Sequence, residues 1–156
     1  PSQRDLLQAM LQRFIDHIET RMADARAKLP ESPTREIKAY VLAWFTLGSE
    51  YRRTASALLA TVTREPELLK TVRQKHRDIM AKIIEVAPNQ ERAMILSLAT
   101  EGMWMSELLD ISPLADSERG RIKRALLQLA DEWYSLPAKR FAGKSSLQRG
   151  KRVVNV

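Results

Sequence analysis

Several residue types that build common functional sites are missing or scarce in this sequence of 156 residues. There is no cysteine, which excludes disulfide bonds and thiolate metal sites. Only five glycines are present, too few to favour a phosphate-binding loop. The two histidines, His17 and His76, lie far apart and belong to no catalytic or metal-binding motif. We therefore predict no catalytic residues, no metal site and no cofactor, and we expect that the protein is not an enzyme.

Long hydrophobic runs are also missing. No segment approaches the roughly 20 apolar residues that a membrane-spanning helix requires, and the N-terminus does not resemble a signal peptide. Apolar residues make up 44% and charged residues 29% of the chain, as in globular proteins, and the length is typical of one domain. We expect a cytoplasmic protein without membrane contact. Because the sequence starts at Pro1 rather than at a methionine, we expect a fragment of a longer protein.

The net charge of +7 is concentrated at one end. Residues 139–156 carry six basic residues and no acidic ones, whereas residues 1–138 hold 20 basic and 19 acidic residues. We predict a helical domain over residues 1–138 and a basic, solvated tail over residues 139–156. Contact of the tail with phosphates or anionic lipid is the alternative.

The helical period dominates the hydrophobic pattern, and Pro and Gly interrupt it about every 20 residues. Ser2, Asn89 and Asp116 are predicted helix caps, and Ser32-Pro33 is predicted to open the second helix. The sequence predicts an all-α bundle of six helices, at about residues 2–27, 33–48, 50–62, 66–88, 89–111 and 116–137.

The fifth helix is apolar on nearly every side. Such a helix is buried on several faces, so we predict that it packs both against its own core and against a second copy of the chain. Gly102 lies inside this helix, where Gly costs about 1 kcal/mol relative to Ala. We interpret it as the site of a close helix crossing, within the subunit or across a dimer. The apolar residues fall on three arcs: Met94, Leu98, Met105 and Leu109; Leu96, Ala99 and Met103; and Trp104 with Leu108.

Methionine and tryptophan residues in a short helical chain make a ligand cavity plausible, because Met adapts its shape to irregular space. His76 lies within the apolar stripe of the fourth helix. Two interpretations of His76 stay open. It is either a histidine at the edge of the core or one of the few polar groups that line an otherwise apolar pocket.

Three segments resemble the C-terminal effector-binding and dimerisation domain of TetR-family transcriptional regulators. Residues 1–7, PSQRDLL, are similar to the segment that follows the DNA-recognition helix in that family, with Gln3 where Lys is usual. Residues 64–69, REPELL, are similar to the turn into the family's long central helix. The run from Thr100 to Leu109, followed by residues 112–114 and Arg121, is similar to its last two helices.

The resemblance implies a six-helix domain whose last two helices form a four-helix bundle with those of a second copy. It implies a DNA-binding repressor whose helix-turn-helix domain is missing here, released by a small apolar or aromatic effector between the first, second, fourth and fifth helices. The expected effector contacts are Trp44, Phe45, His76, Met80, Ile83, Met94, Leu98, Trp104 and Met105. The expected homodimer contacts are Ala93, Leu96, Ala99, Gly102, Met103, Ile122, Leu126 and Leu129.

The alternative hypothesis is a stand-alone helical module on the same fold that binds a lipid or another hydrophobic molecule without binding DNA. It needs the cavity but no DNA-reading domain. The complete reading frame distinguishes the two, because about 50 residues of helix-turn-helix upstream of Pro1 favour the regulator. A start codon near Pro1 favours the stand-alone module.

Overall fold

The computed structural model describes residues 2–62 and 66–135, and within these ranges every regular element is helical. The predicted all-α class and the number of helices are confirmed. A single 3-10 turn, Pro66–Leu68, precedes the fourth helix. The helices are α1 (Gln3–Lys28), α2 (Arg35–Phe45), α3 (Ser49–Val62), α4 (Leu69–Val86), α5 (Gln90–Leu108) and α6 (Asp116–Ser135).

Local capping explains where several helices begin. The Ser2 side chain accepts a hydrogen bond from the Asp5 N–H while Asp5 accepts one from the Ser2 N–H, which forms a capping box for α1. Asn89 caps α5 through the Arg92 N–H. Both caps were predicted.

The predicted start of α2 at Ser32-Pro33 is wrong by two residues. The Ser32 carbonyl accepts a hydrogen bond from the Arg35 N–H, so residues 32–35 form a turn, and the helix begins only at Arg35. Its other end is at Phe45 rather than near Gly48. The sixth helix begins at Asp116, where the sequence predicted its start.

The short helix α2 lies at the centre of the domain. It packs against α1, α4, α5 and α6, and its residues Ile37, Tyr40 and Val41 are almost completely buried. Ala39 and Ala43 are small enough to let neighbouring helices approach closely. α5 packs against α2, α3, α4 and α6, so one side of α5 is covered by its own chain.

A buried carboxylate joins four elements at one end of the domain. Glu107 of α5 is 7% exposed and accepts hydrogen bonds from Arg119 of α6 at 2.6 Å and from Arg52 of α3 at 3.1 Å. Arg119 also donates to the carbonyl oxygen of Phe45 at the end of α2, at 2.9 Å. Charge-assisted bonds of this kind are stronger than neutral ones and hold the ends of the helices together.

The basic segment 139–156, expected to be a solvated tail, lies outside the described residues. Within residues 2–62 and 66–135, none of the helices combines the length and the apolarity needed to cross a membrane.

Candidate functional site

Four aromatic side chains from α1, α2 and α5 form a cluster inside the domain. The ring centroids of Trp44 and Trp104 are 4.8 Å apart, those of Phe14 and Trp104 are 5.8 Å apart, and those of Tyr40 and Trp44 are 6.0 Å apart. These separations are typical of favourable tilted and edge-to-face pairs. The cluster forms an aromatic wall between the three helices.

A small cavity of about 90 Å³ lies beside this wall, between α1, α2 and α4. We call it the inner cavity. Most of its lining is apolar, and its polar side chains are those of Tyr40, Lys75 and His76. The complete lining consists of Phe14, Ile15, Ile18, Tyr40, Trp44, Val72, Lys75, His76 and Ile79.

A polar cluster of three residues forms one corner of the inner cavity. The Tyr40 hydroxyl donates a hydrogen bond to the Glu101 carboxylate, and Nε2 of His76 lies 2.9 Å from the same carboxylate oxygen. Burial, followed by the hydrogen bond to Glu101, raises the pKa of Tyr40 far above its ordinary value. Trp44 acts in the opposite direction, although its indole N–H does not reach hydrogen-bonding geometry. The hydroxyl therefore stays protonated and joins α2, α4 and α5 through Glu101.

Two buried donors beside the cavity have no partner. The indole N–H groups of Trp44 and Trp104 make no hydrogen bond within the described part of the chain. Buried donors are nearly always satisfied in folded proteins, so each exception needs an explanation. A bound molecule with a hydrogen-bond acceptor is one group that could satisfy the donor of Trp44, which lines the cavity.

A larger and more open groove, of about 530 Å³, lies on the other side of α1, where α3 packs against it. We call it the outer groove. His17 stacks on Tyr51 at a centroid distance of 3.8 Å, and Arg21 donates to Nε2 of His17 at 3.2 Å. Burial, followed by the charge of Arg21, lowers the pKa of His17, so its ring is uncharged at neutral pH. The groove is lined by Met10, Arg13, Phe14, Asp16, His17, Thr20, Tyr51 and Thr54.

The structure brings only part of the expected effector contacts together. Trp44 and His76 line the inner cavity, and Trp104 packs directly behind Trp44. Phe45 and Ile83 are buried in the core, and Met80 is partly buried against the same core cluster. The other three expected contacts are exposed on α5, away from the cavity lining: Met94, Leu98 and Met105.

The expected dimer contacts are also divided. Ala93, Leu96 and Leu126 are buried within the chain, so their side chains are not available to a partner. Met103 and Leu129 are partly buried against the same core. Ala99, Gly102 and Ile122 are exposed. Each expected set is therefore divided between the two sides of α5. Trp104 of the effector set and Leu96 of the dimer set are buried, whereas Leu98 and Gly102 are exposed.

The exposed side of α5 is a continuous apolar strip. We call it the outer face, and it consists of Met94, Ile95, Leu98, Met105 and Leu109, with Gly102 in the middle. Leu98 is 63% exposed and Met105 is 41% exposed. A Cβ atom built on Gly102 meets nothing within 4 Å, so the close crossing predicted at this glycine does not occur within the subunit.

Sequence reasoning missed Tyr40 and Glu101 as a polar pair, and it missed the outer groove. Tyr40 and Glu101 are separated by 61 positions in the sequence. The periodicity gave no signal for this pairing, because helical spacing relates residues within one helix and not across helices.

Within the described residues the domain is all-α, with a small, mostly apolar cavity beside the cluster of Tyr40, His76 and Glu101. Residues 34–131, more than half of the chain, match a protein family described as Tetracyclin repressor-like, C-terminal domain. The chain therefore belongs to this family, and the resemblance is confirmed. As in that family, it is the ligand-binding and dimerisation domain of a regulator. Comparisons with curated proteins and with solved structures give no significant match.

Proposed function

We propose that this domain binds a small, largely apolar or aromatic effector in the inner cavity and joins two copies of the chain through α5 and α6. A domain outside these 156 residues binds DNA. The whole protein is a repressor, and the effector releases it from the DNA. The observation that carries this proposal is the position of α5. One side of this helix carries Glu101, which is bonded to two residues of the cavity wall, and another side is the exposed apolar outer face.

The outer face supports dimerisation through its pattern. Ile95, Leu98, Gly102, Met105 and Leu109 follow one another at alternating spacings of three and four residues, which is the spacing of a seam between packed helices. Contiguous exposed apolar surface of this kind marks an interaction site in most folded proteins. Ile122 of α6 is exposed as well, so α5 and α6 together offer apolar surface to a second copy.

The polar corner supports coupling between the cavity and the dimer helix. An effector that competes for Tyr40 or His76 changes the bonds of Glu101, which is adjacent in sequence to Gly102 of the outer face. A change there alters how α5 packs against α2 and α4. Ligand binding then shifts an existing equilibrium between two arrangements of the dimer, which differ in the spacing of their DNA-binding domains.

Light scattering after size exclusion tests the dimer. We expect the wild-type chain to elute with the mass of a dimer at tens of micromolar and Leu98→Glu to elute as a monomer, because a charge would be buried in the interface. Leu6→Glu is the matched control, since Leu6 is similarly exposed but lies on α1. A monomeric wild-type chain, or dimers of both variants, would contradict the proposed interface.

A thermal-shift screen with small neutral aromatic compounds tests the cavity. A compound present at a hundred times its dissociation constant should stabilise the fold by about 2.7 kcal/mol. Ile79→Phe fills the cavity from its lining and should abolish the shift without abolishing folding. A shift of equal size in this variant would place the binding site elsewhere.

A further inference from the structure

Phe14 lines both the inner cavity and the outer groove. It lines the inner cavity together with Ile15 and Ile18, and it lines the outer groove together with Met10 and His17. On the helical wheel of α1 these two sets occupy neighbouring arcs, and Phe14 lies at their boundary. The Phe14 ring therefore separates two spaces that lie side by side.

The sizes of the two spaces indicate why this boundary matters. The inner cavity of about 90 Å³ is far smaller than the roughly 300–1,000 Å³ of sites that hold a drug-sized ligand. The outer groove of about 530 Å³ is large enough but open to solvent. A ligand that occupies both spaces gains the volume of the groove and the apolar lining of the cavity.

Apolar contacts alone hold the ring of Phe14 in place. The side chain is half-buried, and its ring contacts Tyr51 at a centroid distance of 6.4 Å and Trp104 at 5.8 Å, both in tilted rather than stacked arrangements. No hydrogen bond constrains a phenyl ring. A rotation of this side chain is the movement that a passage between the two spaces would require.

The charges of the lining residues differ between the two spaces. At the inner cavity, Lys75 pairs with Glu19 at 3.1 Å and His76 with Glu101 at 2.9 Å. In the outer groove, Arg13 is exposed and makes no hydrogen bond or ion pair with the described residues.

The outer groove also contains the titratable groups Asp16 and His17. Its one carboxylate, Asp16, already accepts a hydrogen bond from the amide of Gln12 at 2.7 Å. His17 is uncharged at neutral pH, as its lowered pKa indicates. The unused guanidinium fork of Arg13 is therefore the strongest available group for a ligand, and its geometry matches a carboxylate.

We propose that Phe14 is a gate between the outer groove and the inner cavity, and that the ligand is an amphipathic monocarboxylate. Its carboxylate pairs with Arg13 in the groove, and its acyl or aromatic tail passes Phe14 and enters the inner cavity. This inference rests on the proposed effector-binding function and specifies the chemistry of that site.

Titration of the 156-residue chain with octanoate, octanol and octylammonium tests the ligand class. Tryptophan fluorescence reports binding, because Trp44 and Trp104 adjoin the gate, and Trp133→Phe removes the third, distant signal. We expect octanoate to bind about tenfold more tightly than octanol, as one charge-assisted pair implies, and octylammonium to bind most weakly.

Two arginine variants make this titration specific. Arg13→Gln should remove the preference for octanoate and leave the affinity for octanol unchanged. Arg73→Gln is the matched control, because Arg73 is exposed on α4 and lines neither space. Equal affinities of the wild-type chain for octanoate and octanol, or a preference that survives in Arg13→Gln, would overturn the assignment of a carboxylate ligand.

Stopped-flow fluorescence tests the gate. Phe14→Ala removes the ring and should raise the association rate of octanoate at least about fivefold, because binding no longer waits for a conformational change. Phe14→Leu keeps more of the apolar volume and provides the same comparison with less risk to folding. Circular dichroism verifies that both variants are folded. Association rates equal to that of the wild-type chain would overturn the gate. No saturable binding of any of the three probes would overturn the proposed effector-binding function itself.

Discussion

The two sides of α5 have similar hydrophobicity but opposite environments. The inner side, with Leu96, Thr100 and Trp104, is covered by the other helices of the chain. The outer face, with Leu98 and Met105, is open in the single chain. Apolar residues thus build the core on one side of the helix, and on the other side they form the surface proposed for association. Hydrophobicity alone does not distinguish the two sides, because burial in the core and burial in an interface both remove apolar residues from water.

The largest expected difference between the two sides is in folding stability. Leu96 is 1% exposed, so Leu96→Ala should lower the free energy of unfolding by about 2–5 kcal/mol through lost burial and an internal cavity. Leu98→Ala should change it by about 0.5 kcal/mol or less, as expected for a surface position. Urea denaturation of both variants in a Met105→Glu background, which blocks association, measures this difference. Equal losses would remove the distinction between the two sides.

Substitution of Glu107, at the C-terminal end of the inner side of α5, should lower folding stability by nearly as much. Glu107→Gln removes the carboxylate that holds Arg52 and Arg119, and we expect a loss of about 1.5–3 kcal/mol in the free energy of unfolding. Glu91→Gln on the exposed part of the same helix is the control and should have little effect. If both variants denature at the same urea concentration, the network does not stabilise the inner side.

Substitutions of Gly102 separate the effect on folding stability from the effect on association. Gly102→Leu should stabilise the single chain by about 0.8–1 kcal/mol, since Leu is the better helix former and no atom of the described residues obstructs its Cβ. Association should weaken, because the added side chain would separate the two helices that cross here in the proposed dimer. Gly102→Ala should give most of the stabilisation with less loss of association. Analytical ultracentrifugation with urea denaturation measures both, and unchanged association of the Leu variant would contradict the crossing.

The smallest effect on stability is expected at His17, which is only partly buried. The pKa of His17 is lowered, so the unfolded chain binds more protons than the folded chain as the pH falls through its ordinary value of 6.5. The histidine therefore favours unfolding as the pH falls from 7.5 to 5.5. His17→Gln should reduce the loss of melting temperature between these two pH values. An unchanged pH dependence would show that His17 is not desolvated enough to matter.

Much of the fold could be predicted from the sequence because helices are specified locally. The apolar period, the caps at Ser2 and Asn89 and the prolines between segments located all six helices. The errors in the predicted helix boundaries occurred at helix ends where local signals compete. Ser32 is a good cap by residue type, yet its carbonyl closes a turn and α2 begins at Arg35.

The candidate site was less predictable. His76 was identified as a possible polar group of a cavity, and the structure places it there. Its partner Glu101 and the second donor, Tyr40, come from two other helices, and no periodic pattern relates them. The helical wheel arranged the residues of α5 correctly relative to one another, but it did not indicate which arc would face the core.

The sequence by itself determined that this protein is a bundle of six helices, that its fifth helix is apolar on several sides, and that Gly102 interrupts this apolar surface. Only the tertiary structure decided that Leu96 faces the core while Leu98 faces outward, and that Phe14 lies between two spaces. The physical reason is the range of the interactions. Hydrogen bonds and side-chain periodicity within a helix span a few residues, whereas its orientation depends on contacts with all the other helices at once.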